Sequence, residues 1–239
     1  MSNISMQNVG VCFPVYVGNK KSIKNEFLNR ATGGRLSQGS LNVVHVQALV
    51  GISIDLKDGD RLGLFGHNGS GKSTFLRTIA GVYAPTSGCI TIDGRIASLL
   101  DLTLGMDPEA TGIENIKLRC ATMGLPRSSW HALVEEVSEF SGLGDFLRMP
   151  MRTYSSGMVM RLGFSVATSV SADIILMDEW LSVGDDAFRA AANNRLTQRI
   201  EKSAIFVLAS QSKALLEEVC NRIITLEHGR VIDDTGVPL

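Results

Sequence analysis

The sequence predicts an α/β fold whose sheet is covered on both faces, with a helical stretch inserted between two strand-rich halves. Three observations carry this. Short, continuously apolar segments such as 174–177 and 204–209 alternate with helical patterns, as strands buried on both faces do. A short strand over 61–65 runs straight into a glycine-rich loop and then an amphipathic helix. Over 103–170 the strand-like segments give way to mainly helical ones.

Element by element, residues 9–17 (VGVCFPVYV) alternate apolar and small residues and read as a strand. Residues 18–42 are polar and glycine-rich and read as a long loop with one short helix around 23–28. Residues 43–57 carry two strand-like stretches, and in the second Ile52, Ile54 and Leu56 alternate with Ser53 and Asp55. Asp58-Gly59-Asp60 is a turn. The helix over 72–80 places Phe75, Leu76 and Ile79 on one face, and Gly81 ends it. A turn at 85–88 leads to a strand over 89–92, a tight turn at Asp93-Gly94-Arg95 and a strand over 96–100.

Thr111 and Glu114 have the spacing of a capping box ahead of a helix that stops at Gly124. A further helix runs over 129–140, halted by Gly142-Leu143-Gly144. The second half returns to strand 174–177, helix 186–201, strand 204–209 and helix 212–219. Short strands at 223–226 and 231–232 then flank Gly229.

Composition narrows the function. The net charge is -1, and Lys20, Lys21 and Lys24 make only a small basic cluster, so nucleic acid is not the expected partner. The cysteines Cys12, Cys89, Cys120 and Cys220 form no Cys-x-x-Cys pair and read as reduced and scattered. No metal-binding cluster of histidines is visible. The first ten residues lack a signal-peptide core, and the apolar runs are too short to span a bilayer. The chain is therefore expected in the cytosol, or on a membrane through a partner.

Two constellations carry chemistry. Gly66-His67-Asn68-Gly69-Ser70-Gly71-Lys72-Ser73, followed by Thr74, matches the phosphate-loop pattern in full and in the required strand–loop–helix context. The glycines let successive backbone N–H groups curl around phosphates, and the following helix adds its positive end. Lys72 reaches the β- and γ-phosphates, and the Ser73 hydroxyl ligates Mg²⁺. A nucleoside triphosphate and Mg²⁺ are the expected cofactors. The second constellation is the strand 174–179, where Asp178 would face Mg²⁺ and Glu179 would polarise the attacking water.

Together with Tyr154-Ser155-Ser156-Gly157-Met158, these motifs resemble the nucleotide-binding subunits of ABC transporters. The resemblance covers about residues 9–235. It implies a P-loop NTPase of the ABC ATPase type that uses ATP and Mg²⁺, with a mixed sheet core, an N-terminal antiparallel β part and an inserted helical subdomain. One ABC ATPase domain over 1–239 would then comprise a nucleotide-binding core at 1–102 and 171–239 and a helical subdomain at 103–170.

The family's signature, Leu-Ser-Gly-Gly-Gln, falls on Tyr154 to Met158, with Ser155 and Gly157 matching and Ser156 and Met158 departing. In the family that serine completes the nucleotide site of a partner subunit, so the resemblance implies a homodimer using Ser155 and Gly157. It also implies that Asp185 communicates across the dimer and that Tyr16, with Phe13 second, stacks on adenine. The segments around Phe13-Pro14, the phosphate loop, YSSGM and 179–185 look like the polysaccharide-exporting branch. That branch moves O-antigen, capsule or teichoic-acid polymers across the bacterial inner membrane. A separate polytopic permease is then the expected partner and contacts the polysaccharide, while this chain lies peripherally on the cytoplasmic face. Some exporters of the branch carry a further sugar-binding domain; if the chain is complete at Leu239, recognition of the polymer lies elsewhere.

Two positions depart from the family. Gln211 stands where a γ-phosphate-sensing histidine is usual, and an amide has no titratable proton at neutral pH. The usual glutamine at the entry to the helical insert is absent, and Asp101 is the polar group expected near Mg²⁺ in its place. Two other readings compete with a transporter subunit: a soluble ATPase of this type acting on nucleic acid or ribosomes, and a regulatory module that barely turns ATP over. The missing basic extensions and single copy oppose the first. Intact Lys72, Asp178 and Glu179 oppose the second.

Overall fold

The computed structural model describes residues 1–16, 36–38, 43–180 and 186–236. Most of the loop expected over 18–42, with its short helix, lies outside the described residues. The chain divides into two compact units: one of residues 1–96, 173–180 and 204–239, the other of residues 97–172 and 181–203.

The first unit holds two sheets. In one, β1 (Asn3–Tyr16) lies between β3 (Val43–Lys57) and β5 (Ser87–Asp93), with β2 (Leu36–Gln38) outside β3, all antiparallel. Residues 43–57, read from sequence as two stretches, form one continuous strand. The reason is the partner: β1 is long enough to pair with β3 from Asn3↔Lys57 to Tyr16↔Val43, absorbing register shifts between Met6 and Cys12. Ile52, Ile54 and Leu56 are buried and alternate with exposed neighbours, the period-two pattern of a half-buried strand. The strand over 87–93 pairs with β1 and does not fold back on its successor, β6 (Ile96–Ser98).

The other sheet is built on β4 (Arg61–Phe65), which pairs in parallel with β8 (Ile205–Ser210) on one side and β9 (Arg222–Glu227) on the other. β7 (Ile174–Asp178) lies beyond β8 in parallel, and β10 (Arg230–Asp234) runs antiparallel on β9. All six residues of β8 are buried, which is why its sequence is a continuous apolar run without alternation. Helices α1 (Lys72–Ile79) and α6 (Lys213–Val219) belong to this unit. In α1, Phe75, Leu76 and Ile79 are fully buried. Arg222 grips Asp234 with two parallel hydrogen bonds, of 2.9 and 2.7 Å, and so clasps β9 to β10.

The second unit is helical: α2 (Gly112–Thr122), α3 (Trp130–Ser141), α4 (Ser156–Ser169) and α5 (Asp186–Lys202). The capping box is formed: the Thr111 hydroxyl accepts from the Glu114 N–H, and the Glu114 carboxylate accepts from the Thr111 N–H. Ile116, Cys120, Val137, Leu162 and Val166 make the core of the bundle. Phe140, Phe164 and Phe188 stack edge-on or tilted, with Arg161 over Phe188 and Arg195 over Phe140. Among the described residues no helix is long and apolar enough to cross a membrane.

Candidate functional site

The phosphate loop sits where β4 ends and α1 begins. Backbone geometry explains its glycines. Gly71 caps α1 with φ 117°, and a Cβ there would lie 2.9 Å from the Ala48 carbonyl oxygen. A Cβ on Gly66 would come within 2.4 Å of the Leu226 carbonyl oxygen. No side chain caps α1, and its first turn carries no acidic residue. Its N-terminal amides are thus left to an external anion, and the helix dipole favours one.

The loop is also stapled from outside. Gly229, in the turn between β9 and β10, donates its N–H to the Ser70 carbonyl at 2.8 Å and accepts at 2.8 Å from the Val50 N–H. This places His228 beside the loop, its ring 5.8 Å from that of His67 in an edge-on arrangement. His67, Asn68 and Gly69 are exposed, whereas Ser70 and Lys72 are buried.

Lys72 Nζ donates to the Gly66 carbonyl at 2.6 Å and the His67 carbonyl at 3.2 Å. The ammonium is thus held inside the curl of the loop. Ser73 Oγ donates to Asp178 Oδ2 at 2.6 Å, so the hydroxyl that starts α1 and the carboxylate that ends β7 share one point. Glu179 follows with φ 65°, a left-handed conformation that costs a residue with a side chain roughly 1–3 kcal/mol. Its N–H donates to the Ala209 carbonyl at 2.9 Å. Its carboxylate accepts a 3.0 Å hydrogen bond from the buried hydroxyl of Ser210. Gln211, the next residue, is exposed.

The first unit therefore brings together Gly66 to Thr74, Asp178, Glu179 and the segment with Gln211. The residues present fit a magnesium–nucleoside triphosphate: a loop with no room for a side chain at Gly66 or Gly71, an open helix N-terminus, a buried lysine and a paired hydroxyl and carboxylate. Ser155, Gly157 and Asp101 belong to the second unit. Ser155 caps α4, its hydroxyl accepting from the Met158 N–H at 3.2 Å. A Cβ on Gly157 would meet only Ser155 Oγ, at 3.8 Å, so packing within the chain does not demand glycine there. Asp101 accepts from the N–H and hydroxyl of Thr103 and is exposed. Tyr16 ends β1, with its side chain outside the described part, while Phe13 packs edge-on against Tyr83 at 4.9 Å. Asp185 lies outside the described residues. Ser210 was not singled out by sequence, where it is one serine in Ala209-Ser210-Gln211-Ser212.

Residues 49–182, from β3 through the phosphate loop and β7, match the family of ABC transporters. The chain belongs to that family. This ABC ATPase is 44% identical over 235 residues to the O-antigen export system ATP-binding protein RfbE of Yersinia enterocolitica, covering 98% of each chain. It is 39% identical to the RfbB protein of the same description from Myxococcus xanthus, over 90% of this chain but 48% of that one. It is 34% identical to the teichoic acids export ATP-binding protein TagH of Levilactobacillus brevis, over 95% of this chain and 60% of that one. The ATP-binding cassette MJ0796, solved as a dimer in a post-hydrolysis state with ADP and Pi, shares the fold with a TM-score of 0.70 and 19% identity. That match covers 97% of each chain. The protein is thus an ATP-binding and hydrolysing subunit of an ABC transporter.

Proposed function

We propose that this subunit powers export of a polysaccharide of the O-antigen, capsule or teichoic-acid type. It would act from the cytoplasmic face of a bacterial inner membrane, through a separate permease that contacts the polymer. The observation that carries the reading is the 44% identity to an O-antigen export ATPase along 98% of both chains. The TagH relative supports the broader class, since its name gives teichoic acids as the cargo.

In this reading the loop amides from Gly66 to Thr74 and the N-terminus of α1 bind the phosphates, and Lys72 places its charge against the terminal ones. Ser73 and Asp178 would hold Mg²⁺, which would neutralise charge on the phosphates when bound. Tyr16 stacks on adenine. Glu179 accepts a proton from the attacking water. Ser155 and Gly157 of a second copy close the site in a homodimer; the open space over Gly157 supports an approach from outside the chain.

Co-expression with the candidate permease tests the export reading. The two are expected to co-purify, and cells carrying only Lys72→Ala are expected to lose surface polymer and retain lipid-linked polymer inside. Normal surface polymer in those cells would overturn it. Glu179→Gln tests the shared site. It is expected to bind ATP, hydrolyse it about a hundredfold or more slowly, and sediment as a dimer with ATP. A monomer at saturating ATP would rule out the shared site.

A further inference from the structure

The ends of β7 and β8 carry a relation that goes beyond the motifs. The two strands are parallel, with Asp178 paired to Ala209. The residues that follow are Glu179, just past the end of β7, and Ser210, the last residue of β8. The Glu179 N–H donates to the Ala209 carbonyl at 2.9 Å, which fixes the backbone of this pair. Ser210 is 1% exposed, and its hydroxyl makes two contacts: it donates to Glu179 Oε2 at 3.0 Å and accepts from the Ser212 N–H at 3.1 Å. A hydroxyl has one proton to give, and here the Ser212 amide occupies a lone pair, leaving that proton for the carboxylate.

We propose that Ser210 is a positioning residue for Glu179. It pins one carboxylate oxygen and thereby sets the direction of the other, and it ties the carboxylate to the backbone on either side of Gln211. The proposal rests on the reading of Glu179 as the group that activates water. Two features require such a holder. The left-handed backbone of Glu179 swings its side chain off the strand, and a long carboxylate at a strand end has several rotamers to choose from. A buried neutral hydroxyl fixes the carboxylate without adding a charge. The chain Ser212 N–H, Ser210 hydroxyl, Glu179 carboxylate also gives the segment carrying Gln211 a route to the acid that does not use the Gln211 side chain.

The test is single-turnover hydrolysis and ATP titration on wild type, Ser210→Ala, Ser210→Thr, Glu179→Gln and the double variant Ser210→Ala/Glu179→Gln. Ser210→Ala is expected to lower the hydrolysis rate about tenfold while ATP affinity stays near wild type, the loss of one hydrogen bond to a charged group. Ser210→Thr keeps the hydroxyl and is expected to restore most of the rate. In the Glu179→Gln background, Ser210→Ala is expected to have little further effect, because the two act as one unit. A wild-type rate in Ser210→Ala overturns the proposal. So does an equal loss in both backgrounds, or a loss of rate matched by an equal fold-loss of ATP affinity. If Ser210→Thr does not fold, the double-variant comparison decides alone. Undiminished hydrolysis in Glu179→Gln would remove the reading of Glu179 itself, whereas a slow Glu179→Gln with an unaffected Ser210→Ala removes only the role of Ser210.

Discussion

Ser73 Oγ donates a 2.6 Å hydrogen bond to Asp178 Oδ2, joining the first turn of α1 to the last residue of β7 across 105 positions of sequence. Two oxygen donors so close together suit a small hard cation, with a hydroxyl supplied by one element and a charge by the other. Rotation of the bridging hydroxyl proton would free both oxygens for such a cation.

Asp178→Asn keeps the shape and removes the charge. ATP affinity measured with and without Mg²⁺ is expected to differ strongly in the wild type. In the variant the metal-dependent part is expected to fall at least about tenfold. Full retention of the Mg²⁺ dependence would show that Asp178 does not serve the metal.

Lys72 has its ammonium on two loop carbonyls and is 7% exposed. Among the described residues its partners are these neutral carbonyls, and a buried cation so held is poised for an anion, which supplies the charge compensation that carbonyl dipoles give in part. Lys72→Ala is expected to weaken ATP binding roughly a hundredfold, an effect of about 2–3 kcal/mol. Isothermal titration measures it, with circular dichroism confirming the fold. Wild-type affinity would exclude the phosphate-loop assignment.

The capping box of α2 gives a pH dependence. The Thr111 N–H first, and then the Thr111 hydroxyl, hold the Glu114 carboxyl below the usual glutamate range. A carboxyl whose pKa is depressed on folding stabilises the fold above its unfolded pKa, and that stability is lost as pH falls through the folded value. Melting curves of wild type and Glu114→Gln are expected to differ near neutral pH. The difference should shrink between about pH 5 and pH 3, because only the glutamate becomes protonated. A difference that persists unchanged in acid would show that the carboxylate is not what stabilises the cap.

What could be read in the sequence was local. The phosphate loop is contiguous, and its glycines are dictated by their own backbone and close neighbours, so eight letters suffice. The capping box spans four residues, and the alternation of Ile52, Ile54 and Leu56 reports one face of one strand. The Ser210–Glu179 bond is different in kind. It exists because β7 and β8 run parallel with Asp178 opposite Ala209, and nothing within either strand states that register. The Arg222–Asp234 clasp depends likewise on the pairing of β9 with β10. The single long β3 was read as two stretches because its continuity is imposed by β1, whose irregular register accommodates it.

Gln211 follows Ser210 at the end of β8 and is exposed, one residue past the hydroxyl that holds Glu179. In that position an imidazole could take up positive charge as charge moves on the phosphate, which an amide cannot do. A charge-assisted hydrogen bond is about twice as strong as a neutral one, and the added strength appears where charge develops, in the transition state. Gln211→His is therefore expected to raise ATP turnover several-fold, roughly 1 kcal/mol of barrier or less, with little change in ATP affinity. The exposure of Gln211 bears on the variant in another way. A substitution there displaces no buried packing, so a change in turnover can be read as chemistry and not as a change of fold. Paired kinetics and nucleotide titration with the permease present are the measurement. Equal or lower turnover in the histidine variant, at unchanged affinity, would mean that the missing titratable group does not limit this ATPase. The hold on Glu179 through Ser210 would then be the part of the segment that matters.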